Sequence, residues 1–268
     1  MTPLPFSIDA WSAWAPNHDA LEAWASWAKK PVPLGGGAFF DEKNLARWVD
    51  PMLRRRSRKL SRAMLEIAGR LTTPESRRHI ASVFAHRYGE TETTFPLLCD
   101  LAEQKPLSPM GFSLSVHNTA SGLFSIAAGN HSPTTSVAAG KNSFVTGLLT
   151  ACTFVQNYGA CLFLIGDDKL SEVYATAANV LDETQQFYAL GLLLSKNGPH
   201  RAHLECLAQP LASAHDPANP LPQPLRFLQA LLNGETQIDF GDDGFNYQLR
   251  LPSTPLQSVF KGADAQQT

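Results

Sequence analysis

The sequence predicts an α/β fold: one mixed sheet with helices on both faces, followed by a C-terminal extension. Three observations carry this. CLFLIGD (Cys161–Asp167) is a continuous apolar run without polar alternation, the pattern of a strand covered on both sides. Helix-period segments alternate with short β-rich runs as far as Leu207. Of the 268 residues 44% are hydrophobic, enough to bury the core of one large domain.

The elements follow in order. Phe6–Ala15 alternates and carries Trp11 and Trp14, so it reads as an opening strand. Asp19–Lys29 is a helix with Leu21, Trp24 and Trp27 on one face, and Val32–Phe40 is a glycine-rich loop. One long helix is expected from about Asp50 to Arg70. Its apolar face holds Leu53, Leu60, Met64, Ile67 and Leu71, and its other face Arg54, Arg55, Arg56, Arg58, Lys59 and Arg62. Thr73-Pro74-Glu75 breaks the chain, and His79–His86 follows as a buried strand. Thr93–Gln104 is a helix, Ser108–Ala128 two short helices, Thr134–Ala138 a strand and Asn142–Asn157 a helix. After Cys161–Asp167, two more strands fall at Phe187–Leu194 and His203–Leu207. Residues 210–224 are rich in proline and form an irregular connection to a helix at Leu225–Leu232 and a last strand at Phe245–Leu251. The expected division is a domain over 1–209, an extension packing on it over 210–252, and a flexible polar tail over 253–268.

Composition narrows the function. Lys and Arg number 22 and Asp and Glu 24, a net charge of −2, which offers no general attraction for nucleic acid. Cys99, Cys152, Cys161 and Cys206 lack paired or metal-like spacing, so they read as reduced, mostly buried thiols of a cytoplasmic protein. The N-terminus lacks the pattern of a secretory signal, and no apolar run approaches the roughly 20 residues of a membrane span. No cofactor or metal is expected.

The most informative stretch is SPTTSVAAGKNS (Ser132–Ser143): a strand, a tight small-residue turn and a helix start, an architecture that usually presents a nucleophile. Here the turn presents Lys141 after Gly140. Further blocks are MLRRRSRKLSRAMLEIA (Met52–Ala68), VFAHRYGE (Val83–Glu90), SPMGFSLSVHN (Ser108–Asn118) and SGLFSIAAG (Ser121–Gly129). In order and spacing, from Phe6 to Leu207, the chain resembles the N-terminal half of a β-ketoacyl synthase, so the fold class implied is a single half-thiolase-like mixed sheet. The resemblance is to the short chain-length-factor-like homologues of aryl-polyene and xanthomonadin-type pathways. It implies that Lys141 occupies the place of the family's acyl-accepting cysteine. The family's second half supplies two histidines, but after Leu207 this sequence has only His215 and no HGT-like or GHxxG-like motif.

The resemblance implies a non-catalytic subunit. It would form a heterodimer, or a dimer of heterodimers, with a complete β-ketoacyl-ACP synthase and shape its acyl tunnel, with a phosphopantetheinylated acyl carrier protein as a further partner. Met110, Gly111, Phe112 and Leu114 would line the tunnel, Gly111 being an opening, and Thr134, Thr135, Ser136 and Val137 would pair across the dimer. Arg54, Arg55 and Arg58 would receive the carrier, although a solvated helix face is the simpler reading of those arginines. Half of a duplicated fold would also expose apolar surface and a free strand edge, so an obligate interface of about 2,000 Å² or more is expected. The segment Pro210–Leu251 is the candidate to patch what the other half would have covered.

Other chemistries compete for the same residues. A lysine ammonium has no lone pair and attacks a thioester only after desolvation lowers its pKa by several units. Ion pairing or filling the site is its commoner use. His117 and His131 could serve as bases but more often such residues are structural. Ser136 and Ser143 lack a GxSxG elbow. Asp167 and Asp168 read as loop caps rather than metal ligands. Two alternatives remain: an acyltransferase or hydrolase acting through Lys141 or a serine, and a homodimeric acyl-binding protein.

Overall fold

The computed structural model describes residues 3–34, 44–170, 174, 186–207, 221–242 and 245–260. Strand β1 (Leu4–Trp14) leads through α1 (Leu21–Lys29) to α2 (Pro51–Arg56), α3 (Lys59–Leu71) and the single turn α4 (Pro74–Arg77). Then come β2 (Ala81–Ala85), α5 (Thr91–Ala102), α6 (Pro109–Ser113), α7 (Thr119–Ala128), β3 (Thr134–Val137) and α8 (Ser143–Tyr158). Strands β4 (Ala160–Asp167), β5 (Tyr188–Ser195) and β6 (Arg201–Cys206) follow, and α9 (Gln223–Leu232), β7 (Gln237–Asp242) and β8 (Phe245–Arg250) complete the order.

These eight strands form one sheet in the order β3-β2-β4-β5-β1-β6-β8-β7. Strand β2 runs parallel to β3 and β4, and the remaining pairs are antiparallel. The expected α/β architecture, a mixed sheet covered on both faces, is therefore present. In β4, Cys161, Phe163 and Ile165 point into one core with α1, α8 and α9, while Leu162 and Leu164 point into a second with α3 and α7. Both faces of β4 are apolar, which explains its unalternated sequence. In β1 the register slips between Ile8 and Ala10, so Phe6, Ile8, Trp11 and Ala13 all share one face despite the odd step.

The long helix expected from Asp50 to Arg70 is two helices. Asp50 caps α2 through bonds to the amides of Met52 and Leu53, with Pro51 at the first position. Ser57 and Arg58 then adopt extended backbone. The Ser57 hydroxyl donates to the Arg54 carbonyl at 2.6 Å, a local bond that competes with the helical ladder. Helix α3 buries Leu60, Ala63, Met64, Ile67, Ala68 and Leu71 at helical spacing. Thr73 does not simply break the chain; its hydroxyl forms a capping box with Ser76 and starts α4.

The C-terminal extension adds an unpredicted strand. Over residues 237–241 of β7, Ile238 and Phe240 are the buried side chains, and the Asp and Gly residues of the strand disfavour a strand assignment. Of the proline-rich connection expected over 210–224, residues 210–220 lie outside the described residues. In the segment expected as a mobile tail, the Trp11 amide donates to the Gln257 carbonyl and the Val259 amide to the Trp11 carbonyl, both at 2.9 Å. Phe260 meets the Trp11 ring edge-on at 5.4 Å, and residues 261–268 lie outside the described residues.

Candidate functional site

The turn between β3 and α8 is a short 3-10 segment, Gly140–Asn142, with Lys141 at its centre. Gly140 has φ +58°, the left-handed region that a side chain resists. This places Lys141, half-buried, directly before the N-terminus of α8. The turn is braced by Ser143. Its hydroxyl accepts from the Ala139 amide at 3.0 Å and lies 2.8 Å from the Gly140 carbonyl and 3.1 Å from the His86 carbonyl. The Ser136 hydroxyl is paired with Ser121 at 2.9 Å. Both serines considered as nucleophiles are thus held by polar neighbours.

His117 and His131 are exposed. The histidine placed deep beside the turn is His86, which sequence reasoning did not single out. Its Nε2 bonds the His117 carbonyl, its Nδ1 has no partner among the described residues, and burial lowers its pKa. A histidine directly after a buried strand, just before a left-handed glycine at Gly89, was the available signal. Burial also raises the thiols of Cys152 and Cys161, which disfavours the nucleophilic thiolate form. Cys99 is exposed and Cys206 half-buried, so burial covers fewer of the thiols than expected.

From the extension, Gln223 reaches the same helix start. It is only 5% exposed. Its Oε1 accepts from the Val145 amide at 3.4 Å, and its Nε2 donates to Asn142 Oδ1 at 2.9 Å. Strand β7 passes the turn, and Phe227 and Phe240 pack on the Phe144 ring at 5.2 and 5.5 Å.

A groove of about 510 Å³ brings two expected sets together. Arg55 and Arg58 line it on one side, and Met110, Gly111 and Leu114 on the other. Arg56 and Met52 join the first wall, and Leu97 and the buried Thr93 hydroxyl the second. Arg54 is half-buried outside the groove; its carbonyl accepts from Ser57 and, at 3.0 Å, from Arg62 Nε. Phe112 is not in the groove and stands 61% exposed. Lys59, expected on the basic face, turns inward to Asp168 at 3.2 Å and over the Phe187 ring at 4.2 Å. Among the described residues Thr134, Thr135, Ser136 and Val137 form the outermost strand, bonded on one side only, to β2.

Asp167 accepts from the Arg87 amide at 2.6 Å and the Tyr188 hydroxyl at 2.9 Å, and burial raises it to about 6. Glu90, bonded by Ser61, is raised to about 7, again chiefly by burial. Among the described residues no group of three or more His, Cys, Asp or Glu side chains is placed to hold a metal ion. None of their helices is long and apolar enough to cross a membrane.

Among curated proteins none matches the chain. Among solved structures, a chain of the complex of the ketosynthase ApeO with its chain length factor ApeC, from Xenorhabdus doucetiae, is 27% identical with a TM-score of 0.73. The alignment covers 92% of this chain and 99% of that one. The ishigamide ketosynthase/chain length factor matches in fold at 14% identity and a TM-score of 0.65, covering 95% of this chain and 99% of that one. The ketosynthase from module 1 of the bacillaene synthase of Bacillus amyloliquefaciens matches in fold at 11% identity and 0.51, over 79% of this chain and 47% of that one. The sequence profile of the β-ketoacyl synthase N-terminal domain matches residues 24–248, and the chain belongs to that family, with the half-thiolase-like build of the chains in ketosynthase/chain-length-factor complexes.

Proposed function

We propose that this chain is a non-catalytic, chain-length-factor-like subunit that pairs with a complete β-ketoacyl-ACP synthase in the cytoplasm and shapes its acyl tunnel during polyene or fatty-acid-like biosynthesis. The observation that carries the reading is Lys141 at the left-handed turn before α8. A thiolate there would form the acyl bond; an ammonium cannot. The likeness to a chain of the ApeO–ApeC complex, over nearly all of both chains, supports a ketosynthase as partner. The one-sided strand β3 and the exposed Met110, Phe112 and Val116 supply an edge and apolar side chains for that interface.

In this reading the partner supplies the nucleophile and the histidines, and this chain supplies a wall. Met110, Gly111 and Leu114 limit the room left for the growing chain. Arg55 and Arg58, on the rim of the same groove, attract an acidic, phosphopantetheinylated carrier protein. The hydrogen-bonded serines and the buried thiols give the hydrolase alternative no support from their surroundings.

Co-expression with a complete β-ketoacyl-ACP synthase from the same organism tests the proposal. A 1:1 complex is expected, and Lys141→Met in that complex should keep at least half of the condensation rate. Loss of turnover in an intact complex would refute the non-catalytic role. Gly111→Leu should shorten the product, because a Cβ there already approaches Leu97 at 3.4 Å. Unchanged product length would remove Gly111 from the tunnel wall.

A further inference from the structure

The turn that carries Lys141 is closed from inside by the chain's own C-terminal extension. The first turn of a helix leaves amide donors without partners, and these are the groups that receive an oxyanion or a thiolate in acyl transfer. Here the Val145 amide is taken by the Gln223 carboxamide, whose other end is held by Asn142. Gln223 is buried and starts α9, so two helix N-termini converge on one neutral amide. Below it, Phe227 from α9 and Phe240 from β7 fill the space around Phe144. The Arg226 guanidinium donates to the Asp239 carbonyl at 3.0 Å, tying α9 to β7. A single amine-for-thiol exchange explains none of these contacts.

We infer that Gln223 is a positioning residue that acts as an internal stopper, occupying the donor end of α8 so that no thioester carbonyl can be seated there. Silence at this site is therefore enforced twice, by Lys141 and by α9. Restoring a cysteine at position 141 does not by itself restore acyl acceptance. The inference rests on reading the turn as a nucleophile's turn and not on which protein the chain pairs with.

The test uses the full chain with Lys141→Cys, alone and combined with Gln223→Ala, and hexanoyl-N-acetylcysteamine as acyl donor. In acylation the thiolate introduced at position 141 attacks the thioester carbonyl. A bond forms to its Sγ, the bond to the N-acetylcysteamine sulfur breaks, and the departing thiolate takes a proton from water. Peptide mass spectrometry separates position 141 from the exposed Cys99. Acylation at 141 should be at least tenfold faster in the double variant than in Lys141→Cys, while iodoacetamide alkylates both. Equal rates, or no acylation in either, overturn the stopper.

A second measurement stands apart from acylation and does not depend on Gln223→Ala folding. In Gln223→Met, which keeps the volume but not the hydrogen bonds, the Val145 amide should exchange with deuterium at least tenfold faster than in the parent. The amides of β4 and β5 should be unchanged. Unaltered exchange at Val145 overturns the inference even if the partner reading stands.

Discussion

Burial sets the proton inventory of Glu90 and Asp167, held at about 7 and about 6. Both lie above the values of an unfolded chain, so the native state keeps protons that the unfolded state releases. Their contribution to stability is fully present below the ordinary carboxylate range. It is lost as pH rises through about 6 for Asp167 and about 7 for Glu90. His86, lowered by burial, works in the opposite sense and weakens the fold as pH falls through the ordinary histidine range. Glu90→Gln isolates one group: the amide keeps an acceptor for Ser61 and cannot ionise. At pH 8 this variant should be more stable than the parent by about 1–3 kcal/mol, and near pH 4.5 the two should be equal, by urea unfolding. A variant weaker than the parent at pH 8 would refute the buried-charge account.

At the scale of elements, two glycines let helices lie close on the sheet. A Cβ at Gly191 in β5 would stand 2.5 Å from Ile67 and 2.8 Å from Leu71, both on α3. On the opposite face, a Cβ at Gly147 in α8 would stand 2.7 Å from Phe163 and 2.9 Å from Ala85. All four of these side chains are buried in the packed core, so making room requires the helix or the core around it to shift. Gly191→Ala should cost about 1–3 kcal/mol by overpacking. Gly122→Ala on α7, where a Cβ meets nothing within 4 Å, should be neutral or raise stability by up to about 1 kcal/mol through helix propensity. Denaturant midpoints of the two variants check the contrast; equal costs would remove close packing as the cause.

At the scale of the whole molecule, the sheet has two ends of different character. Strand β3, Thr134–Val137, carries no charge along its outer edge, while β7 carries Asp239 and, among the described residues, is bonded only to β8. Charged residues blunt an edge, and an uncharged one invites pairing. Under the proposed heterodimer, Thr135→Lys should weaken the complex at least tenfold with little change in the melting of this chain. Gln237→Lys should leave the affinity within about twofold, roughly 0.4 kcal/mol. Titration calorimetry of both variants decides; equal losses would deny β3 its place in the interface.

The α/β class, the double-faced strand at Cys161–Asp167 and the small-residue turn that presents Lys141 were all legible before folding was considered. These are written in local periodicity and in residue types, which a chain displays without being folded. The packed molecule was needed to learn that Arg55 and Arg58 share a groove with Met110 and Gly111 while Arg54 and Phe112 do not. It was needed too for the break at Ser57 in the expected long helix, for β7 as a strand, and for the reach of Gln223 to the start of α8. These depend on groups distant along the chain becoming neighbours, as Gln223 and Asn142 do. Hydrophobic period fixes which face of an element is buried, but not which distant polar side chain will meet its end.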